Sequence, residues 1–319
     1  MKILRSLDNL PDEFRRGALA IGNFDGVHLG HARIVERLLE KARHVGGPAV
    51  VFTFDPHPVQ LLRPQFAPPP LTGTDRKVQL LAELGVDLLI AYPTDAAFLQ
   101  LSARQFFDEI VCRRLEARAL VEGANFFFGH DRRGNVEVLR QFCAGAGIEL
   151  DVVEPVLSGG QVVSSSRIRA LLAQGKVDQV RQMLTQPYRI RGTVIHGAGR
   201  GVQLGYPTAN LAGVRTLLPC EGIYAGRAWA DGSAWPAAIS LGPNPTFDEG
   251  GLKIEAHLIG YRGSLYDRPL EVDFLERLRG VQRFSSVESL IAQMEHDVAA
   301  VRAFVENDCV AAAGVRRKE

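Results

Sequence analysis

The first half of the chain alternates short apolar runs with amphipathic helical patterns, and this alternation constrains the fold more than any other feature. Five apolar runs predict strands, at 18–24, 48–54, 86–92, 117–123 and 148–155. Helical patterns lie between and after them, at 32–43, 74–85, 102–115, 134–147, 165–175 and 177–186. Continuously apolar strands that alternate with such helices indicate a parallel sheet covered on both sides.

From Pro187 onward, short alternating runs rich in glycine replace this pattern. They predict strands at 188–197, 222–230, 233–242, 252–261 and 269–278, followed by a long amphipathic helix at 285–307. Asp231-Gly232 separates two of the runs and favours a tight hairpin, because both residues accept positive φ. These residues indicate an antiparallel barrel or sandwich. We place the domain boundary after Gln186, which gives domains at 1–186 and 187–319.

The composition argues against several classes of protein. The chain has 37 Lys and Arg against 36 Asp and Glu, so its charge does not favour nucleic acid or an anionic membrane as partner. Its four cysteines are scattered without a CxxC pair, which fits a reducing compartment better than a zinc site or a disulfide framework. We see no signal-peptide core at the N-terminus and no run long enough to span a bilayer. We therefore expect a cytoplasmic protein with no membrane or nucleic-acid partner.

The junction between the first predicted strand and helix reads GNFDGVHLGH, at 22–31. In an open parallel sheet, ligands bind where strands end and helices begin. Glycine allows a phosphate to approach the backbone closely, and the start of a helix offers unpaired N–H groups. His28 and His31 lie three residues apart and can face the same way, so they are candidate donors to a polyphosphate. Ordinary capping is the better interpretation of a lone histidine, but not of this string.

The HxGH string resembles the signature of the nucleotidyltransferase superfamily, whose histidines hold ATP phosphates. SSSRIR, at 164–169, resembles the SSTxIR motif of its smaller members. Together with TFDPHP at 53–58 and GANFFFGHDRRGN at 123–135, these strings resemble the adenylyltransferase module of the bacterial bifunctional riboflavin kinase/FAD synthetases. The resemblance implies that His28 and His31 are catalytic and that Asn125 binds flavin. The phosphate-binding positions that it implies are Gly22, Phe24, Gly30, Ser164, Ser165 and Arg169.

The second half contains GTVIHGAGRGVQLGYPTANL, at 192–211. Its glycines predict a loop whose backbone N–H groups wrap phosphates. Thr208 and Asn210 supply a hydroxyl and an amide oxygen, which suit a Mg²⁺ ion that bridges ATP phosphates. The alternative is a glycine-rich hairpin in which Thr208 and Asn210 satisfy turn amides. In the later run LKIEAHLIG, Glu255 falls on the polar face of the predicted strand and would ordinarily face solvent.

The string at 192–211 resembles the flavokinase signature. This resemblance favours a phosphate-binding loop over a structural hairpin, and a functional Glu255 over a solvent-facing one. It implies that Glu255 is the catalytic base and that Arg279 lies near the flavin. It also implies ATP-phosphate binding by Gly197, Gly199, Gly201 and Thr208, and Mg²⁺ binding by Thr208 and Asn210. Phe127, Ser240, Ser264 and Asp267 stand where the family usually has other residues, which concerns details of flavin contact.

The resemblance covers roughly residues 15–305. It implies a Rossmann-like α/β nucleotidyltransferase domain with a parallel sheet, followed by a riboflavin kinase-like antiparallel β-barrel with a terminal helix. It further implies that ATP phosphorylates riboflavin to FMN in the barrel, and that a second ATP adenylylates FMN to FAD with release of pyrophosphate. Riboflavin, FMN and ATP would be the small-molecule substrates and Mg²⁺ the metal. The sequence leaves the oligomeric state open, a transient homo-oligomer included.

Three rival functions remain open on the residues alone. A nucleotidyltransferase for another phosphate acceptor would not need PTAN and Glu255. A nucleic-acid-binding barrel beside a degenerate nucleotide fold should carry a basic stripe with interleaved aromatics, whereas DEGGLKIEAH at 248–257 mixes charges. A flavin-storage or sensor protein would not need an intact HxGH string.

Overall fold

A computed structural model of the chain describes residues 1–8, 10–244, 246 and 249–315. The chain forms two compact units. The N-terminal unit comprises Met1–Pro68 and Thr72–Ser165, and the barrel unit comprises Pro69–Leu71 and the chain from Ser166 onward. The helices predicted at 165–175 and 177–186 thus lie almost wholly in the barrel unit. A functional domain boundary after Gln186 stays a prediction.

The N-terminal unit is built on a parallel sheet of six strands in the order β1-β4-β3-β2-β5-β8. The strands of this unit are β1 (Lys2–Leu4), β2 (Ala18–Ile21), β3 (Ala49–Phe54), β4 (Leu88–Tyr92), β5 (Ala119–Gly123), β6 (Phe127–Phe128), β7 (Gly134–Asn135), β8 (Glu149–Val153), β9 (Leu157–Ser158) and β10 (Gln161–Val162). Its helices are α1 (Leu29–Val45), α2 (Pro58–Leu62), α3 (Thr74–Glu83), α4 (Ala96–Leu99), α5 (Ala103–Phe106) and α6 (Val136–Ala146). A π-helical segment spans Phe107–Arg114, and short 3₁₀ turns span Asp12–Phe14, Pro64–Phe66 and His130–Arg132.

The central strands are buried on both faces, as the apolar runs predict. Successive residues of β2 contribute to two different cores: Leu19 and Ile21 join one apolar cluster, and Ala18 and Ala20 join the other. The alternation follows from the two-residue period of a strand. The alanines face the cluster that contains Val35 and other residues of α1. Small side chains on this face let α1 pack closely against the sheet.

The barrel unit is a closed antiparallel barrel with strand order β11-β12-β15-β14-β13-β16. Its strands are β11 (Tyr188–Ile195), β12 (Ala209–Ala212), β13 (Gly222–Ala230), β14 (Ser233–Asn244), β15 (Glu249–Leu258) and β16 (Pro269–Arg279). Its helices are α7 (Ser165–Ala173), α8 (Val177–Arg181), α9 (Arg200–Gln203) and α10 (Val287–Val315). In a closed barrel every strand pairs its backbone N–H and C=O groups with a neighbour on both sides, whereas a sandwich leaves edge strands. The prediction of a barrel is therefore confirmed.

The β13–β14 hairpin has the predicted tight turn. Ala230 pairs with Ser233, and the two residues between them have φ of +51° at Asp231 and +76° at Gly232. Positive φ at both central positions gives the twist that a two-residue hairpin needs. One long helix, α10, packs against the outside of this barrel through Val301 and Val305.

Besides several elements of two to five residues that the sequence did not predict, such as α2, α4 and β6, three differences from the prediction concern the sheet, the barrel and one long helix. Strand β1 was not predicted, yet it pairs in parallel with β4. Strand β12 was read as a loop, yet it pairs with β11 and β15. The helix predicted over 102–115 is divided into α5 and a π-helical segment. Within the described residues, none of the helices combines the length and the apolar character needed to cross a bilayer.

Candidate active sites

The two histidines of the HxGH string form a reciprocal pair at the start of α1. His28 is the N-cap: its Nδ1 accepts the backbone N–H of His31 at 3.3 Å. In return, Nδ1 of His31 accepts the backbone N–H of His28, also at 3.3 Å. The rings stack with centroids 3.7 Å apart. This arrangement is a capping box built from two imidazoles, and it holds both rings in one orientation.

The hydrogen bonds and the burial fix the state of both rings. Because each Nδ1 accepts a hydrogen bond, the proton of each neutral imidazole lies on Nε2. Burial lowers the pKa of His28 to about 4. Burial, and then the proximity of His28 and Lys77, lower the pKa of His31 well below its usual value. Near neutral pH the pair therefore offers two uncharged Nε2–H donors.

Lys77 of α3 lies beside the same loop and was missed by the sequence analysis. Its Nζ donates to the backbone carbonyl of Asn23 at 2.6 Å and to the hydroxyl of Thr53 at 3.4 Å. Burial lowers the pKa of Lys77, while Asp25 and Asp55 oppose that shift. A helical pattern alone would place this lysine in solvent, so no sequence signal distinguished it. The loop after β2 is thus held in part by a partly buried amine.

The contacts of three residues in this loop explain why each of them suits its position. A Cβ added at Gly30 would lie 3.1 Å from the ring of His28, so glycine leaves room for that imidazole. Gly22 donates its N–H to the carbonyl of Phe52 on β3 at 3.0 Å. Phe24 is buried, with its ring 5.0 Å from that of His31. The side chain of Phe24 therefore supports His31, and only its backbone is available for phosphate.

The other predicted residues of this site are distributed over both units. Asn125 is exposed in the turn after β5, at the same end of the sheet as the HxGH loop. The hydroxyl of Ser165 donates to the backbone carbonyl of Asp25 at 2.9 Å, and Ser164 precedes it on the same unit. Arg169 belongs to the barrel unit, where its Nε donates to the carbonyl of Pro69 at 3.3 Å.

An open cavity lies between the barrel wall and α10, since its lining includes Glu255 of β15 as well as Met294 and Asp297 of α10. Sites for small ligands and cofactors are concave and combine apolar walls with a few polar groups. Six residues predicted from the sequence line it: Gly199, Gly201, Thr208, Asn210, Glu255 and Arg279. Gly197 is not among the residues that line the cavity but packs closely against one of them, since a Cβ there would lie 2.4 Å from Nδ2 of Asn210.

Three polar residues lie side by side across the wall of this cavity. Glu255 on β15 is paired with Asn210 on β12 and with Ser240 on β14. Directly opposed residues on neighbouring antiparallel strands have adjacent side chains. The strand pairing thus brings together Asn210 and Glu255, which are 45 residues apart in the sequence (255 − 210). A hydroxyl, an amide and a carboxylate meet at the cavity wall.

His257, two residues beyond Glu255, anchors the loop that carries Thr208. Its Nδ1 lies 2.8 Å from the carbonyl oxygen of Pro207. Because a carbonyl oxygen only accepts, Nδ1 must carry the proton and donate it. The alternation along the strand predicts that His257 lies on the same face as Glu255. Its contact with Pro207 depends on the closed barrel and could not be predicted from the sequence.

Arg279 is held by a carboxylate of α10. Its Nη2 lies 2.7 Å from Oδ2 of Asp297, and its Nε lies 3.1 Å from Oδ1. Asp297 is buried and also lines the cavity. A fork-to-fork pair of this kind fixes the plane of the guanidinium. The orientation of Arg279 at the cavity is therefore set by Asp297, which the sequence analysis did not single out.

A parallel-sheet unit with an HxGH loop and a barrel with a glycine-bordered polar cavity define a two-domain enzyme that transfers phosphoryl and nucleotidyl groups. Models of two protein families match the chain, one described as FAD synthetase over residues 10–167 and one as riboflavin kinase over residues 184–305. The chain belongs to the family of bifunctional riboflavin kinase/FMN adenylyltransferases.

Its similarity to individual proteins spans nearly the whole chain. The bifunctional riboflavin kinase/FMN adenylyltransferase of Pseudomonas fluorescens is 38% identical over 304 residues, which cover 95% of this chain and 97% of that protein. The protein of the same name from Escherichia coli (strain K12) is 33% identical, with coverage of 95% and 98%. A crystal structure named as a macrolide-efflux protein from Streptococcus pneumoniae matches with a TM-score of 0.84 and 28% identity, over 94% of this chain and 98% of that one.

Proposed function

We propose that the barrel cavity around Glu255 makes FMN and that the loop around His28 and His31 makes FAD. The chain is a bifunctional enzyme of flavin cofactor synthesis, a riboflavin kinase and an FMN adenylyltransferase. The observation that carries our assignment of the two reactions is that His28 and His31 lie on the N-terminal unit, whereas Thr208, Asn210 and Glu255 lie on the barrel unit. Each set has its own glycine-bordered loop and its own chemistry.

In the barrel, the reaction requires that the ribityl 5′-hydroxyl of riboflavin attack the γ-phosphorus of ATP. We assign Glu255 to orient that hydroxyl and accept its proton as the new P–O bond forms and the bond to the β-phosphate oxygen breaks. Backbone N–H groups around Gly199 and Gly201 would receive the phosphates. Arg279, fixed by Asp297, would face the flavin.

The donor set next to Glu255 fits a magnesium ion. Thr208 and Asn210 supply neutral oxygen atoms at the cavity wall, and Mg²⁺ prefers oxygen ligands while keeping several waters. These two residues would hold the ion, which neutralises charge on the ATP phosphates when bound. The hydrogen bond from His257 to Pro207 would keep Thr208 in place for this role.

In the N-terminal unit, the phosphate of FMN attacks the α-phosphorus of ATP, and pyrophosphate leaves. Two uncharged Nε2–H donors on one rigid pair suit this step, because they can follow charge as it moves onto the leaving group. The phosphate oxygen of FMN is already ionised, so the step needs no base. Asn125, at the same sheet edge, is the candidate flavin contact. The backbone of Gly22 to Gly30, with Ser164 and Ser165, is the candidate phosphate cradle.

A mixing experiment tests the assignment of the two sites. His28→Asn chains should convert riboflavin and ATP to FMN only, and Glu255→Gln chains should make neither product from riboflavin. An equal mixture of the two variants should make FAD, because FMN released by the first is a substrate of the second. Chromatography of the flavins gives the result. A mixture that makes no FAD, or a single variant that makes it at the normal rate, would contradict the assignment.

We further propose the cytoplasm as the compartment, since ATP and a reducing environment suit a chain with scattered cysteines. We propose no nucleic-acid partner, in keeping with the balance of 37 basic and 36 acidic residues. A transient homo-oligomer stays a prediction, for which sedimentation analysis with and without ATP and FMN is the test.

A further inference from the structure

Glu122 is a buried carboxyl group that the assigned chemistry does not use. It lies on β5 with only 2% of its surface exposed. Its Oε1 accepts the backbone N–H of Ile21, on the neighbouring strand β2, at 2.8 Å. Burial raises the pKa of Glu122 well above its usual value, and the Ile21 N–H only partly opposes that shift. A carboxyl group buried in a largely apolar core needs a structural or functional reason.

The position of Glu122 in the sheet supplies that reason. The β2–β5 pairing comprises Ala18 with Ala119 and Leu19 with Leu120. On its other side, β2 stays paired with β3 as far as Ile21. Strands β2 and β5 thus separate toward their carboxyl ends, and the N–H of Ile21 points into the gap between them. The carboxyl group of Glu122 accepts a hydrogen bond from this N–H.

This gap is the point where the strand order reverses. From β2 the chain continues through β3 and β4 on one side, whereas β5 and β8 lie on the other side. Ligands of open α/β sheets bind in the crevice outside such a reversal. The loop that carries His28 leaves from the end of β2, and the turn that carries Asn125 leaves from the end of β5. Glu122 bridges the two strands at the base of that crevice.

We propose that Glu122 is a positioning residue for FAD formation, which braces the end of β2 against β5 and so sets the spacing between the HxGH pair and Asn125. The proposal rests on the proposed function, in that His28 and Asn125 serve this reaction. The feature that matters is an acceptor at the right distance from the N–H of Ile21. Any side chain of similar shape that keeps this acceptor should serve.

The test compares three substitutions in the full chain. Glu122→Gln keeps an oxygen that can accept from Ile21, Glu122→Leu keeps the volume without an acceptor, and Glu122→Asp keeps a carboxyl that is one methylene shorter. We expect Glu122→Gln to form FAD from FMN and ATP within about twofold of the unmodified chain. Glu122→Leu and Glu122→Asp should lose about tenfold or more in kcat/KM, because a buried N–H is left without an acceptor. FMN formation in the barrel should be unchanged in all three.

Rates are measured well below the lowest melting temperature, so that the folded fraction is the same for each variant. Glu149→Gln and Glu149→Leu are matched controls, since Glu149 is an exposed residue of β8 in the same sheet, paired with Lys41. Normal FAD formation by both Glu122→Leu and Glu122→Asp overturns the proposal. So does a loss of about tenfold or more in Glu122→Gln, and this arm stands even if Glu122→Leu does not fold. If His28→Asn leaves FAD formation intact, the proposed function fails instead, so the two failures are distinguishable.

Discussion

His28 and His31 hold each other in place: each ring accepts the backbone N–H of the other, and the rings stack with centroids 3.7 Å apart. Each histidine therefore uses Nδ1 for the fold, and our proposal assigns its Nε2 to a ligand. Removal of either ring disturbs both the helix start and the donor pair. A useful substitution must separate these two roles.

Substitution of His28 by asparagine makes this separation. Asparagine is a favoured N-cap and can still accept the N–H of His31, but it lacks the Nε2–H donor. We expect FAD formation to fall about 100-fold or more, the size of effect seen when one oxyanion donor is removed. FMN formation should not change. Steady-state assays with FMN or riboflavin as the starting flavin provide both numbers.

His44→Asn is the matched control, because His44 is an exposed histidine near the other end of α1. It should leave both activities unchanged. Equal loss of FAD formation in the two variants, or none in His28→Asn, would count against a role for the HxGH pair.

The lowered pKa of His28 predicts a pH-dependent stability. The pKa is near 6.5 in the unfolded chain and about 4 in the folded one, so below pH 6.5 the unfolded state binds a proton that the folded state does not. Stability should be constant above this range and fall as the pH drops from about 6.5 to 4, by up to about 3 kcal/mol. Calorimetric melting at neutral and mildly acid pH should show a smaller loss for His28→Asn than for the unmodified chain. An identical loss in both would show that His28 is not the group responsible.

Glu255→Gln should abolish most of the kinase activity. Glutamine keeps the size of the side chain but cannot accept the proton of the attacking hydroxyl, and a general base contributes about 10² to 10⁴ in rate. FMN supplied from outside should still be adenylylated at the normal rate. Glu288→Gln, at an exposed position of α10, is the control. Normal phosphorylation of riboflavin by Glu255→Gln would remove Glu255 from its assigned role.

The close approach of Gly197 to Asn210 leads to a prediction about magnesium. A Cβ at position 197 would lie 2.4 Å from Nδ2 of Asn210, so Gly197→Ala must displace that amide. We expect riboflavin phosphorylation to require more Mg²⁺ and to have a lower maximal rate, while FAD formation from FMN is unchanged. Gly251→Ala is the matched control, because nothing lies within 4 Å of an added Cβ there. An unaltered Mg²⁺ titration in Gly197→Ala would argue against Asn210 as a ligand.

The sequence predicted five of the six strands of the parallel sheet, because buried strands and amphipathic helices leave strong local patterns. It missed β1, a three-residue strand whose Lys2 and Ile3 are exposed and therefore leave no apolar run. The sequence pattern predicted a loop at Asn210, because the pairing of Asn210 on β12 with Glu255 on β15 exists only in the closed barrel.

The missed site residues share one physical cause. Lys77, Glu122 and Asp297 are charged residue types whose burial depends on distant parts of the chain. Sequence patterns predict that such residues face solvent, because burial of an isolated charge costs free energy. Only the folded structure shows the Asn23 carbonyl, the Ile21 N–H or the Arg279 guanidinium that satisfies each of them.

The most direct test of two separate sites on one chain is the balance of nucleotide products. The purified chain is incubated with riboflavin, ATP and Mg²⁺, and flavins, ADP and pyrophosphate are measured over time. We predict that FMN appears before FAD, that one ADP is released for each riboflavin phosphorylated, and that one pyrophosphate is released for each FAD formed. FAD that accumulates without an equal amount of pyrophosphate, or riboflavin consumed without ADP, would contradict the account.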